Sequence, residues 1–296
     1  MNKDVALGID IGGTKVAVAI VNRFGQIEYR HELPSDIKSS ETLFQTVLSC
    51  IQKVLDESGL AITDFYGIGA GVPGKVDHNN GIAIFQNNIP WDNFPFVERI
   101  KNEFNDEIKV VIDNDVKVAA YAEYATRHLP AEATFTYLTI STGIASTTIV
   151  NNTILRGSGF SGEIGFLPLK VNNQYIDLEK FAAGPGIQAA YPGVESTKEV
   201  FNLAYDGDEK AIAIIKSRAH AMAIGIYSIV CTLDPNMIVL GGSVAYNNPR
   251  FVDAIIEELR GIVIEEQSHI LNDIVRSVLG SDNGIVGAGM LAFNLK

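Results

Sequence analysis

Cysteine is nearly absent from this sequence. Its 296 residues include only two, Cys50 and Cys231, which lie far apart in the chain. Two isolated thiols provide neither a disulfide framework nor a structural zinc site. The composition therefore argues against a small disulfide-stabilised secreted domain and favours a reducing compartment, the cytoplasm.

An excess of positive charge is also lacking. Lysine and arginine number 23 against 35 aspartates and glutamates, so the formal net charge is −12. This balance argues against a nucleic-acid backbone or an anionic membrane as the main partner. A phosphate ligand remains compatible, because backbone amides and a bound cation neutralise phosphate locally.

Long apolar runs are missing as well. No uninterrupted apolar stretch reaches the ~18 residues of a membrane span. The first residues, MNKDVALG, lack the apolar segment of a signal peptide. We therefore expect neither a secretion signal nor a membrane anchor.

Two familiar nucleotide-binding motifs do not fit. The sequence contains no G-x-x-x-x-G-K-[ST], which argues against a P-loop ATPase. The string G-x-G-x-x-G occurs at Gly69–Gly74 and at Gly157–Gly162. Neither copy has the βαβ setting of a dinucleotide-binding domain, so neither is interpreted as a dinucleotide-binding motif.

Two strand-turn-strand segments resemble each other. The first joins Val5–Ile11 to Lys15–Val21, and the second joins Phe135–Ile140 to Ala145–Val150. Each turn contains glycine and threonine. Helical spacing of apolar residues elsewhere, as over Glu209–Leu233, predicts an α/β protein. The repeat, rather than any linker, suggests two domains.

The first of these turns has more chemistry than a hairpin requires. At Gly12 and Gly13 the backbone can approach an anion closely, because no Cβ intervenes. Thr14 adds a hydroxyl, and Asp10 adds a carboxylate suited to the water shell of Mg²⁺. These residues predict a phosphate loop, with a plain hairpin turn as the alternative.

Seven short motifs follow one another over nearly the whole chain: Asp10-Ile11-Gly12-Gly13-Thr14-Lys15, Gly71-Val72-Pro73-Gly74, Asn88-Ile89-Pro90-Trp91, Asn114-Asp115, Ser141-Thr142-Gly143, Gly162-Glu163-Ile164-Gly165 and Leu240-Gly241-Gly242-Ser243. In this order they resemble the ROK family, which includes bacterial sugar kinases and sugar-responsive repressors. The resemblance implies an α/β protein of the actin-like ATPase (ribonuclease H-like) fold, with two α/β domains flanking an active-site cleft.

The resemblance also implies how the chain is divided. An N-terminal domain over 1–113 would carry the first phosphate loop. A C-terminal domain over 114–283 would carry a second phosphate loop and the adenosine pocket. A final helix at about 284–296 would pack back on the first domain.

The resemblance assigns catalysis to Asp115, near the attacking sugar hydroxyl. Because Asp115 follows a strand and starts a helix, a capping role is the alternative. For Asn114 the alternative is an Asx-turn, and for Glu179 a position on a surface helix. Substrate binding is implied for Gly71, Asn88, Asn114, Asp115, Glu163 and Glu179. ATP binding is implied for Asp10, Gly12, Gly13, Thr14, Lys15, Ser141, Thr142, Gly143, Gly184, Gly186, Gly241, Gly242 and Ser243.

Cofactors follow from the same resemblance. ATP and Mg²⁺ are expected, with Asp10 holding the metal through water. Family members commonly have histidine where this chain has Phe166, followed by a cysteine-rich zinc loop. The segment Phe166–Leu178 contains neither Cys nor His, so no zinc is expected. The second phosphate loop also has fewer glycines than usual, and we expect altered ATP affinity.

The leading hypothesis is an ATP-dependent kinase for the 6-hydroxyl of a glucose-type sugar. Phe166 makes the chain similar to the β-glucoside kinases of the family. A zinc-free glucokinase and an N-acetylmannosamine kinase are alternatives, as is a sugar-sensing protein without catalysis. Regulators of the family carry an N-terminal helix-turn-helix, and only MNKDVA precedes the first strand here. A cytoplasmic homodimer without nucleic-acid or membrane partners is expected.

Overall fold

The computed structural model describes residues 3–86, 88–104 and 107–294. The strands are β1 Val5–Ile11, β2 Lys15–Asn22, β3 Ile27–Pro34, β4 Gly67–Val72, β5 Lys75–Asp77, β6 Ile82–Phe85, β7 Asp92–Phe94, β8 Lys109–Asn114, β9 Thr134–Ile140, β10 Ile144–Val150, β11 Thr153–Ile154, β12 Pro168–Val171, β13 Gln174–Asp177, β14 Met237–Gly241 and β15 Ile274–Arg276. The helices are α1 Ser40–Ser58, α2 Phe96–Phe104, α3 Asp115–Thr126, α4 Leu178–Ala182, α5 Gly184–Ala189, α6 Thr197–Tyr205, α7 Glu209–Leu233, α8 Gly242–Asn247, α9 Pro249–Arg260, α10 Ile270–Asp273 and α11 Asn283–Phe293.

The chain forms two compact units. The first consists of Met1–Leu129 and Asp282–Lys296, and the second of Pro130–Ser281. The predicted boundary after Asp113 differs from this division, because α3 packs on α11 within the first unit. The predicted C-terminal helix corresponds to α11, and its last two predicted residues lie outside the described part of the chain.

The first unit is built on a five-stranded sheet in the order β3-β2-β1-β4-β8. The first three strands in sequence are antiparallel neighbours, whereas β4 and β8 run parallel to β1. Alternate residues of β1 and β2 pack against α1 on one face. Helix α1 begins after Ser39, whose hydroxyl accepts a hydrogen bond from the Thr42 N–H, and it ends at Gly59.

Helix α11 covers the opposite face of this sheet. It contacts β1, β4 and α3. A Cβ atom on Gly69 of β4 would lie 1.8 Å from the carbonyl oxygen of Ala288. Glycine in the strand therefore lets the last helix lie directly on the sheet.

The second unit repeats this topology. Its main sheet has the order β11-β10-β9-β14-β15, again with an antiparallel hairpin followed by parallel strands. The two similar hairpins seen in the sequence are therefore the starting hairpins of two related sheets. Because parallel strands share a carboxyl edge, residues at the ends of β9 and β14 are brought together.

Helix α7 forms much of the core of the second unit. By length and composition it is the one helix of the described residues that is long and apolar enough to cross a membrane. Its buried side chains, including Met222 and Ile226, pack in the core with those of α6 and α9. Core packing thus accounts for the apolar composition of α7.

Candidate active site

The turn between β1 and β2 in the first unit is fixed by backbone hydrogen bonds. The Gly12 N–H donates to the Lys15 carbonyl at 2.9 Å. Ser35, which follows β3, donates through its hydroxyl to the Gly12 carbonyl at 2.6 Å and through its N–H to the Thr14 carbonyl at 3.0 Å. The neighbouring strand therefore holds the predicted phosphate loop in one conformation.

Charged side chains surround the start of this loop. The Lys15 ammonium lies 3.0 Å from Glu32, which also accepts from Arg30 at 3.1 Å. Burial raises the pKa of Asp10 above its ordinary value, whereas the charges of Lys15 and Arg30 oppose that rise. The loop thus combines an enclosed carboxylate with a lysine that is half exposed.

A row of residues crosses the carboxyl edge of the first sheet. Asp10 pairs with Gly71 of β4, and Gly71 pairs with Asp113 of β8. Paired residues on neighbouring strands face the same side of a sheet. Gly71 therefore leaves an open position in the row between two carboxylates. The nearest atom to a Cβ there would be on Val118 at 3.5 Å, so packing alone does not require the glycine.

Asn114 caps helix α3. Its side-chain oxygen accepts from the N–H groups of Val116 at 3.1 Å and Lys117 at 3.3 Å. Its amide nitrogen donates to the Gly74 carbonyl at 3.0 Å and to Asp115 at 2.9 Å. The bond to the Val116 N–H is the Asx-turn expected as the alternative for Asn114, and the donors and acceptor of this side chain all have protein partners. The helix cap is therefore not Asp115.

Asp115 is the first residue of α3 and has one oxygen fixed and one available. Oδ1 accepts from the Val116 N–H at 2.9 Å and from Asn114 at 2.9 Å. No other described residue donates a hydrogen bond to Oδ2. Burial raises the pKa of Asp115 to about 6, with a further contribution from the negative charge of Asp10. A carboxyl with this pKa changes charge near neutrality, as a general base should.

Asn88 lies beside the phosphate loop. A Cβ on Gly13 would come within 2.7 Å of the Asn88 carbonyl oxygen, so the two segments are in close contact. The Asn88 residue itself is exposed. The structure therefore brings one predicted sugar residue next to the predicted phosphate loop of the same unit.

In the second unit, three predicted ATP-binding segments converge on Ser141. Its carbonyl accepts from the Gly184 N–H at 2.8 Å, and its hydroxyl lies 2.9 Å from that of Ser243. The Ser141 N–H donates to the Gly143 carbonyl at 2.9 Å, which closes the turn between β9 and β10. The turns after β9 and β14 and the start of α5 therefore form one cluster.

Glu179 supports that turn. Its Oε2 accepts from the Ile144 N–H at 2.8 Å. A Cβ on Gly143 would lie 2.7 Å from the same oxygen, so the carboxylate packs on the turn itself. Oε1 has no hydrogen-bond partner among the described residues. One oxygen therefore holds the turn and the other is available to a ligand.

Glu163 lies in a segment that is anchored to β10. The Ser146 N–H donates to the Gly162 carbonyl at 2.7 Å. Gly162 has a φ of +92°, and a Cβ on it would lie 1.9 Å from the Ser146 carbonyl oxygen. Phe166 follows within a 3₁₀ turn, Ile164–Phe166, and its exposed fraction is 65%. Glu163 and Phe166 are thus both presented to solvent on this unit.

The other predicted ATP-binding residues are placed less directly. Gly186 packs against the carbonyl groups of Lys180 and Phe181, and Gly241 packs against Tyr137. Gly242 is the first residue of α8, so the predicted turn there is the start of a short helix. Thr142 is exposed.

Several supporting residues were missed from the sequence. Asp113 is 1% exposed and accepts from the Asn114 N–H at 2.8 Å. Ser35 fixes the first loop, and the Thr197 hydroxyl donates to the Gly184 carbonyl at 2.8 Å. For Asp113, the run Asp113-Asn114-Asp115 at the end of a buried strand is a signal that the sequence does contain. For Ser35 and Thr197 the sequence contains no such signal, because the residues that they contact are distant in the chain.

Metal ligands are few. Among the described residues, no group of three or more His, Cys, Asp or Glu side chains is arranged to hold a metal ion. Asp10, whose pKa burial raises, is close enough to Asp115 for their charges to interact. Carboxylate oxygens suit Mg²⁺, which keeps several waters and needs few protein ligands. The first unit therefore fits an ATP-bound Mg²⁺, and the absence of zinc stays a prediction.

Two α/β units with the same strand order, each with a glycine-containing turn in its first hairpin, define the actin-like ATPase fold class. This confirms the predicted fold class. The chain belongs to the ROK family, whose model matches residues 6–294.

Relatives cover nearly the whole chain. It is 26% identical to a glucokinase of Halalkalibacterium halodurans over 96% of this chain and 94% of that protein. It is 28% identical to an N-acetylmannosamine kinase of Shigella boydii over 97% of each. It is 24% identical to a xylose repressor of Caldicellulosiruptor bescii, over 89% of this chain and 71% of the repressor.

A solved structure agrees with these matches. The ROK hexokinase of Thermus thermophilus superimposes with a TM-score of 0.81 over 98% of each chain, at 28% identity.

Proposed function

We propose that this protein is an ATP-dependent carbohydrate kinase that phosphorylates the 6-hydroxyl of a glucose-type sugar, with a preference for β-glucosides. The relatives named glucokinase and N-acetylmannosamine kinase support a sugar kinase. The observation that carries the proposal is Asp115, which has a pKa of about 6 and receives its hydrogen bonds from other residues on Oδ1 alone.

Asp115 acts as the general base in this proposal. Oδ1 is fixed by Val116 and Asn114, which sets the direction of Oδ2. Oδ2 accepts the proton of the attacking hydroxyl as the oxygen–phosphorus bond forms. Asn114 contributes by positioning Asp115, in addition to its proposed contact with the sugar.

The loop after β1 binds the phosphates. Gly12, Gly13 and Thr14 offer backbone and hydroxyl groups, and Lys15 supplies positive charge. Asp10 would hold Mg²⁺ through water, and the metal would offset phosphate charge and orient the phosphoryl group. On the second unit, Ser141, Thr142 and Gly143 are the second phosphate loop. The proposed adenosine-binding residues are Gly184, Gly186, Gly241, Gly242 and Ser243.

Sugar recognition is assigned to two glutamates. Glu163 is exposed, and Glu179 has one oxygen without a protein partner among the described residues. Each carboxylate accepts hydroxyl donors, which suits a polyol. Gly71 and Asn88 are proposed to border the sugar on the first unit.

The preference for β-glucosides rests on Phe166. The Phe166 ring is 65% exposed and provides an apolar surface. A charged or imidazole side chain at this position would bind the free anomeric hydroxyl of a sugar, whereas the ring does not. We expect kcat/KM to be higher for a β-glucoside such as cellobiose than for glucose. One unpaired hydroxyl costs about 1–3 kcal/mol, or roughly 5- to 150-fold.

Phe166→His should shift this preference toward glucose. The measurement is kcat/KM for cellobiose and for glucose in both proteins, with Tyr175→His as a control at another exposed aromatic residue of the same unit. A preference of the unmodified protein for glucose would replace the β-glucoside assignment by a zinc-free glucokinase. N-acetylmannosamine is the next substrate if neither sugar reacts.

Activity should depend on Mg²⁺ and not on zinc. The segment Phe166–Leu178 lacks the sulfur and imidazole ligands that zinc requires. Elemental analysis should find no stoichiometric zinc, and a zinc-selective chelator should leave the rate unchanged. Stoichiometric zinc, or loss of activity on its removal, is the opposing result.

A sugar-sensing protein without turnover is the second candidate, because a xylose repressor is among the relatives. ADP release from ATP, measured against hexoses, N-acetylated amino sugars and β-glucosides, separates the two. Sugar-dependent ADP release supports the kinase. Sugar binding by calorimetry without ADP release supports the sensor. A cytoplasmic homodimer stays a prediction, to be checked by sedimentation.

A further inference from the structure

A pocket of about 710 Å³ lies on the second unit, and none of the predicted site residues lines it. Its walls come from β12, from Phe181 of α4, from one side of α7 and from Glu258 of α9. This volume is within the range of about 300–1,000 Å³ that is usual for small-molecule sites. Phe181 shares α4 with Glu179, but Glu179 itself does not line the pocket.

The pocket has largely apolar walls. Helix α7 contributes residues at helical spacing, among them Ala213, Ser217 and Ile224, which lie on one side of the helix. Leu169 and Val171 of β12 face them. An apolar wall of this kind suits the hydrocarbon or aromatic body of a ligand.

Arg218 is a cation next to the pocket. Its guanidinium lies 3.8 Å from the centre of the Phe181 ring and donates to the Ser217 hydroxyl at 2.8 Å, so it contacts two wall residues. Its Nε is buried without a hydrogen-bond partner among the described residues. Burial also lowers the pKa of Arg218. Arg218 does not itself line the pocket, and its partly desolvated cation lies next to two residues that do, Phe181 and Ser217.

No carboxylate compensates Arg218 among the described residues. By contrast, five other arginines each have a carboxylate within 3.3 Å: Arg23, Arg30, Arg99, Arg127 and Arg260. The pocket also contains Lys170 and Lys216, whereas its one acidic residue, Glu258, is bound by His220 at 2.9 Å. In a chain with a net charge of −12, this local excess of positive charge favours an anion.

We propose that this pocket binds a small organic anion, with one phosphate or carboxylate group on an apolar body. The acidic group would pair with Lys170 and Lys216, strengthened by the positive charge of the adjacent Arg218, and the apolar body would contact the walls formed by β12 and α7. The proposal concerns binding alone and is independent of the kinase assignment.

Isothermal titration calorimetry on the full chain tests the proposal with three probes. Phenyl phosphate and benzoate separate the two acidic groups, and benzyl alcohol is the neutral comparison. At least one anion should bind roughly tenfold or more tightly than benzyl alcohol. Arg218→Met keeps an unbranched side chain over Phe181 but removes the charge, and it should weaken the binding of that anion by roughly tenfold or more.

Two control variants locate the binding. Arg250→Met removes another arginine of this unit that lies over an aromatic ring, Tyr205, and should leave the affinity unchanged. Lys15→Met should also leave it unchanged, which excludes binding at the phosphate loop. Equal affinity of the unmodified protein and Arg218→Met would overturn the proposal, as would equal binding of the neutral probe. Self-association that Lys216→Glu abolishes, with no anion binding, would identify a second copy as the occupant instead.

Discussion

Asp115→Asn should lower the rate of sugar phosphorylation by ~10²–10⁴, the general scale for removing a catalytic acid or base. The amide keeps the size of the side chain, and its oxygen can still accept from the Val116 N–H. It cannot accept the proton of the sugar hydroxyl. Sugar affinity, measured by calorimetry, should change far less than the rate.

The stability of the same variant gives a second readout. The pKa of Asp115 is raised from 3.8 to about 6 in the folded protein, so the charged form is disfavoured there. The fold therefore loses stability as pH rises from about 4 to about 6, and above about 6 this cost is complete. Asp115→Asn removes the cost and should raise the free energy of unfolding at neutral pH by up to about 3 kcal/mol.

Asn114→Ala is the matched control at the neighbouring position. Loss of this N-cap should lower stability by about 1–2 kcal/mol, because two N–H groups of α3 lose their acceptor. A stabilised but inactive Asp115→Asn protein identifies a residue retained for catalysis. Near-normal turnover, or a loss of stability like that of Asn114→Ala, would show that Asp115 has a structural role.

Gly162→Ala should destabilise the second unit strongly and impair sugar binding. The φ of +92° costs an alanine about 1–2 kcal/mol. Its Cβ would also lie 1.9 Å from the Ser146 carbonyl oxygen, and relieving such a contact costs about 1–3 kcal/mol. Because Ser146 anchors this segment, Glu163 should be displaced and KM for the sugar should rise.

Gly193→Ala separates the effect of backbone strain from the effect of the contact with Ser146. Gly193 has a φ of +93°, and a Cβ on it would meet no atom within 4 Å. The Gly193→Ala protein should therefore lose only ~1–2 kcal/mol of stability, which is the cost of backbone strain, and its KM for the sugar should stay unchanged. Urea midpoints and KM of both variants are the measurements. Equal losses in the two proteins would show that the contact with Ser146 does not hold the Glu163 segment in place.

The sequence predicts the starting hairpins of both sheets well, because β1, β2, β9 and β10 are rich in apolar and β-branched residues and flank short turns. It does not predict β3. That strand lies at the edge of its sheet, and Glu28, Arg30 and Glu32 on its outer side are polar and exposed. On its inner side His31 interrupts the apolar residues Ile27, Tyr29 and Leu33, so the alternation is too weak to recognise with ease.

The sequence likewise predicts part of the candidate site, the segments that carry its residues, but not the contacts that these residues make. Ordered motifs identify the segments that carry Asp10, Asp115 and Glu163, since each motif is local in the chain, whereas Glu179 lies in none of them. They do not identify which atoms of these residues are already used by the protein. The bond from the Ile144 N–H to Glu179 joins residues 35 positions apart. Contacts of this kind depend on the packing of the whole unit.

The most direct test of Asp115 as the base is the pH dependence of kcat/KM for the sugar, measured at saturating ATP in the unmodified protein. The carboxylate must be ionised to accept a proton, so kcat/KM should fall about tenfold per pH unit below about pH 6. The residual rate of Asp115→Asn should not show this acid limb. A profile of the unmodified protein that stays level from about pH 7 to about pH 5 would contradict the assignment.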